Sequence, residues 1–381
     1  MARVVMLLTN PHRPDPRVRR EAIALGQDGH TIWVHAWDRQ VRYPTSETMD
    51  GIEVRRIRLA ASYDSFLDAL LKLPLVWGRM LWRLRSDPFD VVHAHDLDTL
   101  PVGILLAKLR RKPCVFDAHE VYSTMVQPSV PRWAFRFLRW LEKTLTPACQ
   151  VILTVNDALR GIYEGLGGRR VVVVMNAAPL SELEGADPDQ VRRNLQLQDK
   201  PIILYAGVLE PSRSLDHLLA AFEEFEEGIL VLGGHGSLTT HIDARAASLE
   251  NVRFVGWIPA RDMASYLAAA DVVVLLYDPT YAINRIGTAT RLLEAMALGV
   301  PIVASEGSSN GEVVREEAVG LTVRHDDVAD IRRGIRRLLS DAELRHAAAR
   351  NGRRAARERY SWEVQEERLR ATYRQLTEPE A

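Results

Sequence analysis

A chain of 381 residues, 47% hydrophobic and 26% charged, has the length of two ordinary domains and the composition of a soluble globular protein. Two cysteines, Cys114 and Cys149, both beside apolar runs, exclude a disulfide framework and a zinc ribbon. No apolar run reaches the roughly 18 residues that a membrane span needs. The net charge of −1 hides an asymmetry: 25 Lys and Arg face 18 Asp and Glu through Ala178, and 24 face 32 beyond it. A basic first half and an acidic second half suggest two domains with different partners.

The opening MARVVMLLTNPH reads as a first strand and not as a signal peptide, so an intracellular protein is expected. Residues 3–8 form that strand, and a loop follows at His12–Pro16. Helical spacing of Val18, Ala22 and Leu25 predicts a helix over 17–27, stopped by Gly29. Strands are expected at 31–36 and 52–59, then a long apolar and basic helix over 66–84 broken near Pro74. Strands at 91–93, 113–116, 151–155 and 171–175 alternate with helices at 99–109, 131–145 and 157–164. Such alternation means a parallel sheet covered on both faces.

A polar stretch over 181–200 leads into a second α/β series. Its strands are expected at 202–206, 229–232, 252–255, 272–276, 301–304 and 321–323, with an Arg-rich helical end after Asp326. The fold class is therefore α/β, two doubly wound Rossmann-like parallel sheets, with a cleft between them. Ligands of such sheets bind beyond the carboxyl ends of the strands.

Those strand ends carry the chemistry of the second half. They are Gly207-Val208-Leu209-Glu210-Pro211-Ser212-Arg213, Gly233-Gly234-His235-Gly236, Gly256-Trp257-Ile258-Pro259 and Tyr277-Asp278-Pro279. Glycines there permit close approach of a ligand to the backbone, and Arg213 and Arg291 offer bidentate positive charge. The stretch Asn284–Ser305 reads as a loop, a helix, a Gly-Pro break and a buried strand. Gly287 and Thr288 precede the helix, with Thr as an expected N-cap, and a helix N-terminus is an anion site. Glu294 lies too deep to cap the helix. Beside Arg213 and the glycine turns it reads as a pocket carboxylate.

Taken together these motifs resemble family 4 retaining glycosyltransferases of the two-domain GT-B architecture. The likeness rests on the Gly207…Arg213 turn, Gly234-His235-Gly236, Val255–Pro259, Ala269–Val272, Leu293–Pro301 and Tyr360-Ser361-Trp362. The first half contributes DPRVRREAIAL, DVVHAHDLDTLP and VFDAHEVYS. It covers nearly the whole chain. By that resemblance the domains are an acceptor-side domain over 1–178, a nucleotide-sugar domain over 179–360, and a C-terminal helix over 361–381 that crosses back.

The resemblance implies a nucleotide-diphosphate-sugar donor as substrate, no bound cofactor and no catalytic metal. Glu294 would accept from the ribose hydroxyls. Arg213 and Arg291 would hold the diphosphate, helped by N–H groups near Gly287 and Thr288. Gly207, Gly234 and Gly236 would line the donor, and the Trp257-Ile258 turn would meet the base. His119 would stand near the sugar and the reacting carbon. Arg17, His95, Asp96, Glu120, Asn284 and Arg285 are the candidates for sugar or acceptor contact. The sequence departs from the family pattern at two places: Ile286 stands where a sugar-reading Glu is usual, and Val208 where an Arg is frequent.

His93, His95, Asp96, His119 and Glu120 are of metal-ligating types, but too few donors recur at suitable spacing, and no metal is expected. No nucleic-acid motif is present, so no nucleic-acid partner is expected. The segment 131–145 sets Trp133, Phe137 and Trp140 beside Arg132, Arg136, Arg139 and Lys143. Core packing of its aromatics competes with a peripheral contact on an anionic membrane. The basic first half tilts the expectation toward the membrane and a sugar or lipid-linked acceptor in surface polysaccharide synthesis, with the protein cytoplasmic or at the inner face of the plasma membrane. The alternatives are another GT-B enzyme, such as a nucleotide-sugar epimerase or a phosphorylase, and a non-catalytic nucleotide-binding relative.

Overall fold

The computed structural model describes residues 1–13, 15–62, 66–127 and 130–377, with the side chains of 66 and 67 left out. Pro14 in the first loop and the last four residues of the predicted terminal helix segment lie outside the described residues. Met1–Met175 together with Glu366–Ala381 forms one compact unit, and Asn176–Gln365 forms the other.

In the first unit the strands are β1 (Arg3–Leu7), β2 (Thr31–Asp38), β3 (Ser46–Met49), β4 (Ile52–Arg58), β5 (Val91–His95), β6 (Cys114–Ala118), β7 (Val151–Thr154) and β8 (Val171–Val173). Their order is β3-β4-β2-β1-β5-β6-β7-β8. Every pair is parallel except β3 on β4. That edge hairpin escapes the sequence reading, although Asp50-Gly51 between the strands, both at positive φ, is the dipeptide that a tight hairpin turn demands. Strand order reverses between β2 and β5 on either side of β1, so the switch point opens beyond the ends of β1 and β5.

The helix Phe66–Leu84 runs through Pro74 without a break. Pro74 is on the exposed side, where water can satisfy the carbonyl that loses its N–H partner. Val76, Met80 and Leu84 pin the helix into a core with Val5, Leu7, Trp37 and Phe89. Tyr373, on the helix Trp362–Thr377, is fully buried in the first unit, where its hydroxyl meets His93 Nδ1 at 2.9 Å.

The second unit holds β9 (Ile202–Val208), β10 (Ile229–His235), β11 (Val252–Gly256), β12 (Val272–Leu275), β13 (Ile302–Ser305) and β14 (Gly320–Val323), in the order β11-β10-β9-β12-β13-β14, all parallel. Val- and Ile-rich runs such as VVVL and IVAS are buried along their whole length, as strands covered on both faces require. The polar stretch predicted as a link instead carries two short helices, Leu180–Leu183 and Pro188–Leu195, that belong to this unit. Asp187 caps the second by accepting from Gln190 N at 2.9 Å. Here the switch point lies between β9 and β12.

Candidate functional site

Arg213 closes a single 3-10 turn, Pro211–Arg213, just after β9, and the segment 277–294 follows β12. The two loops are tied by backbone: Asp278 N donates to Ser212 O at 3.0 Å. Arg213 lies over the Tyr277 ring, its Cζ 3.8 Å from the centroid, and donates through NH1 to Asn284 Oδ1 at 2.5 Å. Both Arg213 and Arg291 favour ionisation of the buried Tyr277 phenol, but burial dominates and pushes its pKa up. The Arg213 guanidinium therefore stacks on Tyr277 at the sheet's switch point.

The helix Thr290–Leu298 starts two residues later than Thr288, and its N-cap is Ala289, with no side-chain cap. Ala289 N donates instead to the fully buried Asn310 at 2.8 Å, and Gly287 N donates to Ile283 O at 2.7 Å. The amide at Gly287 is thus consumed by the short helix Ala282–Ile286, an element absent from the sequence reading. The first-turn amides of Thr290 and Arg291 are those that the helix itself leaves without an acceptor. Glu294 is mostly buried and paired with Arg291 three residues before it, not solvated. Arg285 is exposed and donates to Pro279 O at 2.6 Å. Asn284 is buried, and Ile286 ends the short helix.

The glycines serve the neighbouring strand as much as any ligand. A Cβ on Gly234 would lie 1.9 Å from Gly207 O, and one on Gly236 would lie 2.4 Å from Leu209 O. The ends of β9 and β10 are therefore packed backbone against backbone, and Gly236 N is already satisfied by Thr239 Oγ1 at 2.9 Å. At the next strand end the paired residues part company. Trp257 is 70% exposed, while Ile258 is buried against Gly233.

In the first unit the predicted residues gather around one that was not singled out, Asp117. Asp117 and His119 alternate along β6 and its extension, so they share a face. Arg17 and Glu21 are one helical turn apart on Pro16–Gln27. Asp117 accepts from Arg17 Nε (2.9 Å) and NH2 (2.7 Å), from His95 Nδ1 (3.1 Å) and from His119 Nε2 (2.7 Å). Arg17 also donates to Val174 O at 2.8 Å and pairs with Glu21 at 3.1 Å. Arg17 is 4% exposed, so it serves the network and has no face left for an acceptor.

Burial would raise the Asp117 carboxyl, but Arg17 and His119 outweigh it and hold it well below its usual range. Glu21, buried beside Asp117, is pushed up to about 7. Burial lowers His119, but Asp117 and then Asp96 outweigh that and lift it from 6.5 to about 9. At neutral pH His119 is an imidazolium and a donor, not a general base. Asp96, 3.6 Å from His119 Nδ1, takes a left-handed conformation (φ 62) at the end of β5, a strained backbone of the kind found at functional sites. Glu120 is partly buried, and burial raises its carboxyl too.

This arrangement has a pH consequence. His119 gains a proton affinity on folding, so its contribution to stability is complete below about pH 6.5 and is lost as pH rises through about 9. Thermal unfolding scans at pH 7 and pH 9 are expected to show a larger loss for the native protein than for His119→Gln. Equal losses would mean that His119 is not held by these carboxylates.

The donor atoms of Glu21, His93, His95 and Asp117 lie within 4.8 Å of one another, a different set from the one weighed in the sequence. Arg17 supplies a cation to this cluster by gripping both oxygens of Asp117. On the surface of the same unit, the helix Arg132–Leu145 leaves Trp133 (57%), Phe137 (50%) and Trp140 (57%) exposed, so these three aromatics do not pack into the core.

Residues 187–355 match the family described as Glycosyl transferases group 1, and residues 14–177 match the Glycosyl transferase 4-like domain. An uncharacterized glycosyltransferase of Methanocaldococcus jannaschii is 26% identical over 346 residues, 84% of each chain. Among solved structures, sucrose-phosphate synthase of Thermosynechococcus elongatus superposes with a TM-score of 0.82 at 19% identity, covering 99% of both chains. Anabaena HepE, solved in complex with UDP, superposes with a TM-score of 0.75 at 16% identity, covering 98% of this chain and 100% of its own.

Proposed function

This chain belongs to the group 1, family-4-like glycosyltransferases of GT-B architecture, and from that premise we propose that it is a retaining enzyme moving a sugar from a nucleoside-diphosphate sugar to an acceptor hydroxyl. The observation that carries this reading is Arg213. It stands at the switch point of the second sheet, gripped by a neutral amide and an aromatic face, with no carboxylate partner among the described residues. A diphosphate supplies that partner. The leaving group of the reaction is the nucleoside diphosphate, and fixed positive charge stabilises it without proton transfer. Arg291, Glu294 and the first amides of the helix Thr290–Leu298 complete the pocket, Glu294 accepting from ribose hydroxyls.

In the first unit His119 donates to the sugar or the acceptor as an imidazolium, and Asp96 and Glu120 accept from hydroxyls. UDP is the first nucleotide to test, because solved structures of the same fold hold it. The test is release of free nucleoside diphosphate from UDP-, GDP- and ADP-sugars by the purified protein, with the anomeric configuration of the product read by NMR. Release with retention supports the proposal. Intact nucleotide binding with no release from any donor would favour the non-catalytic reading.

The acceptor is proposed to be presented at an anionic membrane. Trp133, Phe137 and Trp140 fall on one face at spacings of four and three, flanked by Arg132, Arg136, Arg139 and Lys143. Exposed aromatics beside cations suit the interfacial layer of a bilayer. No described helix is long and apolar enough to cross one. Replacing all three aromatics by alanine is expected to cut co-sedimentation with phosphatidylglycerol vesicles about tenfold or more, on the area of apolar surface lost. Unchanged co-sedimentation would remove this helix from the account.

A further inference from the structure

We infer that Asn284 is a positioning residue that aims Arg213 at the donor diphosphate and leaves its charge intact; this rests on the donor-site reading above. An asparagine has two N–H donors and one carbonyl acceptor. Asn284 spends both donors on backbone, Nδ2 reaching Ser212 O at 3.0 Å and Asp278 O at 2.9 Å. Its Oδ1 takes Arg213 NH1 at 2.5 Å. The side chain is 1% exposed. Its donors are spent and its oxygen has no exposed face, so Asn284 does not read the sugar.

The orientation of the amide is fixed by its neighbours. Turned over, it would set an NH2 group against a guanidinium and an oxygen against two carbonyls. Ser212 O receives both Asn284 Nδ2 and Asp278 N, so the amide sits on the junction of the loops that follow β9 and β12. It therefore transmits the placement of both loops to one cation. On the other side the Tyr277 ring, 3.8 Å from Cζ, closes the remaining freedom. A guanidinium held on two sides before ligand arrives does not have to be ordered on binding.

The choice of a neutral amide has a chemical meaning. A carboxylate at 284 would hold Arg213 as firmly but would neutralise it. Arg291 shows the contrast, since it is paired with Glu294. Arg213 is therefore the cation of this pair whose charge has no carboxylate partner among the described residues. Arg213 Nε is buried and without a partner among the described residues, which leaves the guanidinium with hydrogen-bonding capacity still to be met.

The test is a thermodynamic cycle on the full-length protein, with UDP and GDP affinities measured by calorimetry. Asn284→Ala is expected to weaken the preferred nucleotide about tenfold and Arg213→Ala about a hundredfold, while the double variant binds within about twofold of Arg213→Ala alone, because residues acting through one group are not additive. Donor KM should rise with Asn284→Ala more than kcat falls. Tyr277→Leu repeats the cycle from the other side of the guanidinium, should Asn284→Ala fail to fold. An additive double variant, or unchanged affinity for Asn284→Ala beside the loss for Arg213→Ala, overturns the inference while leaving the donor site standing; unchanged affinity for Arg213→Ala overturns both. Absence of binding to either nucleotide by the native, folded protein overturns both.

Discussion

Asp117→Ala is expected to lower the stability of the first unit by about 3–5 kcal/mol, the usual cost of removing one partner from a buried charge network. The carboxylate accepts four hydrogen bonds from three side chains, and every one of them is lost together. Arg17, with no exposure to speak of, would keep only Val174 O and the raised-pKa carboxyl of Glu21. His119 would lose its closest anion and fall back toward a neutral imidazole. Urea unfolding followed by the tryptophans of the first unit measures the loss. Asp117→Asn should recover part of the stability, since an amide oxygen still accepts, but not the raised affinity of His119 for its proton. An unfolding free energy for Asp117→Ala within about 0.5 kcal/mol of the native value would show that the network contributes little to stability.

Arg213→Ala carries the largest expected effect on turnover. Loss of one preorganised donor to a developing anion costs on the order of 10²–10³ in rate where it has been measured in other enzymes. The same loss is expected here in donor-dependent release of nucleoside diphosphate, with unfolding midpoints little changed, because Arg213 is partly exposed and makes no ion pair among the described residues. Arg213→Lys should recover only a small part. A lysine keeps the charge but not the planar fork that lies over Tyr277 and reaches Asn284. Turnover within threefold of native for Arg213→Ala would place the leaving-group charge elsewhere.

Much of the architecture was legible because both sheets are parallel apart from the edge strand β3. Their strands are near-continuous Val, Ile and Leu runs, and the periodicity alternates between strand and helix often enough to mark two series. The misses have physical causes. Edge strand β3, SETM, has no apolar face because one side of it meets solvent, and only Asp50-Gly51 announces the hairpin. Pro74 argued for a break where an exposed carbonyl tolerates its ring. The five-residue helix Ala282–Ile286 is too short to show a period.

The site divides in the same way. Arg213, Arg291 and Glu294 were legible as a group because they follow successive strand ends. What was not legible is which polar groups consume one another. Asn284 offered an amide to a sugar on paper, yet the two loop carbonyls and Arg213 take all of it. Arg17 read as a contact for sugar or acceptor, although it lies one helical turn from Glu21 and opposite Asp117, which hold it. Gly234 and Gly236 read as room for a ligand, while the backbone of the neighbouring strand already fills the space a side chain would need. Hydrogen-bond satisfaction is a property of three-dimensional neighbours, and a single sequence carries no record of them.

The central claim is that the second unit holds a nucleoside diphosphate through Arg213. Calorimetric titration of the native protein and of Arg213→Ala with UDP and GDP tests it most directly. The account predicts saturable one-to-one binding of at least one nucleotide by the native protein and a loss of about a hundredfold in the variant, consistent with removal of a charge-assisted contact. Binding of equal strength in both proteins would contradict it.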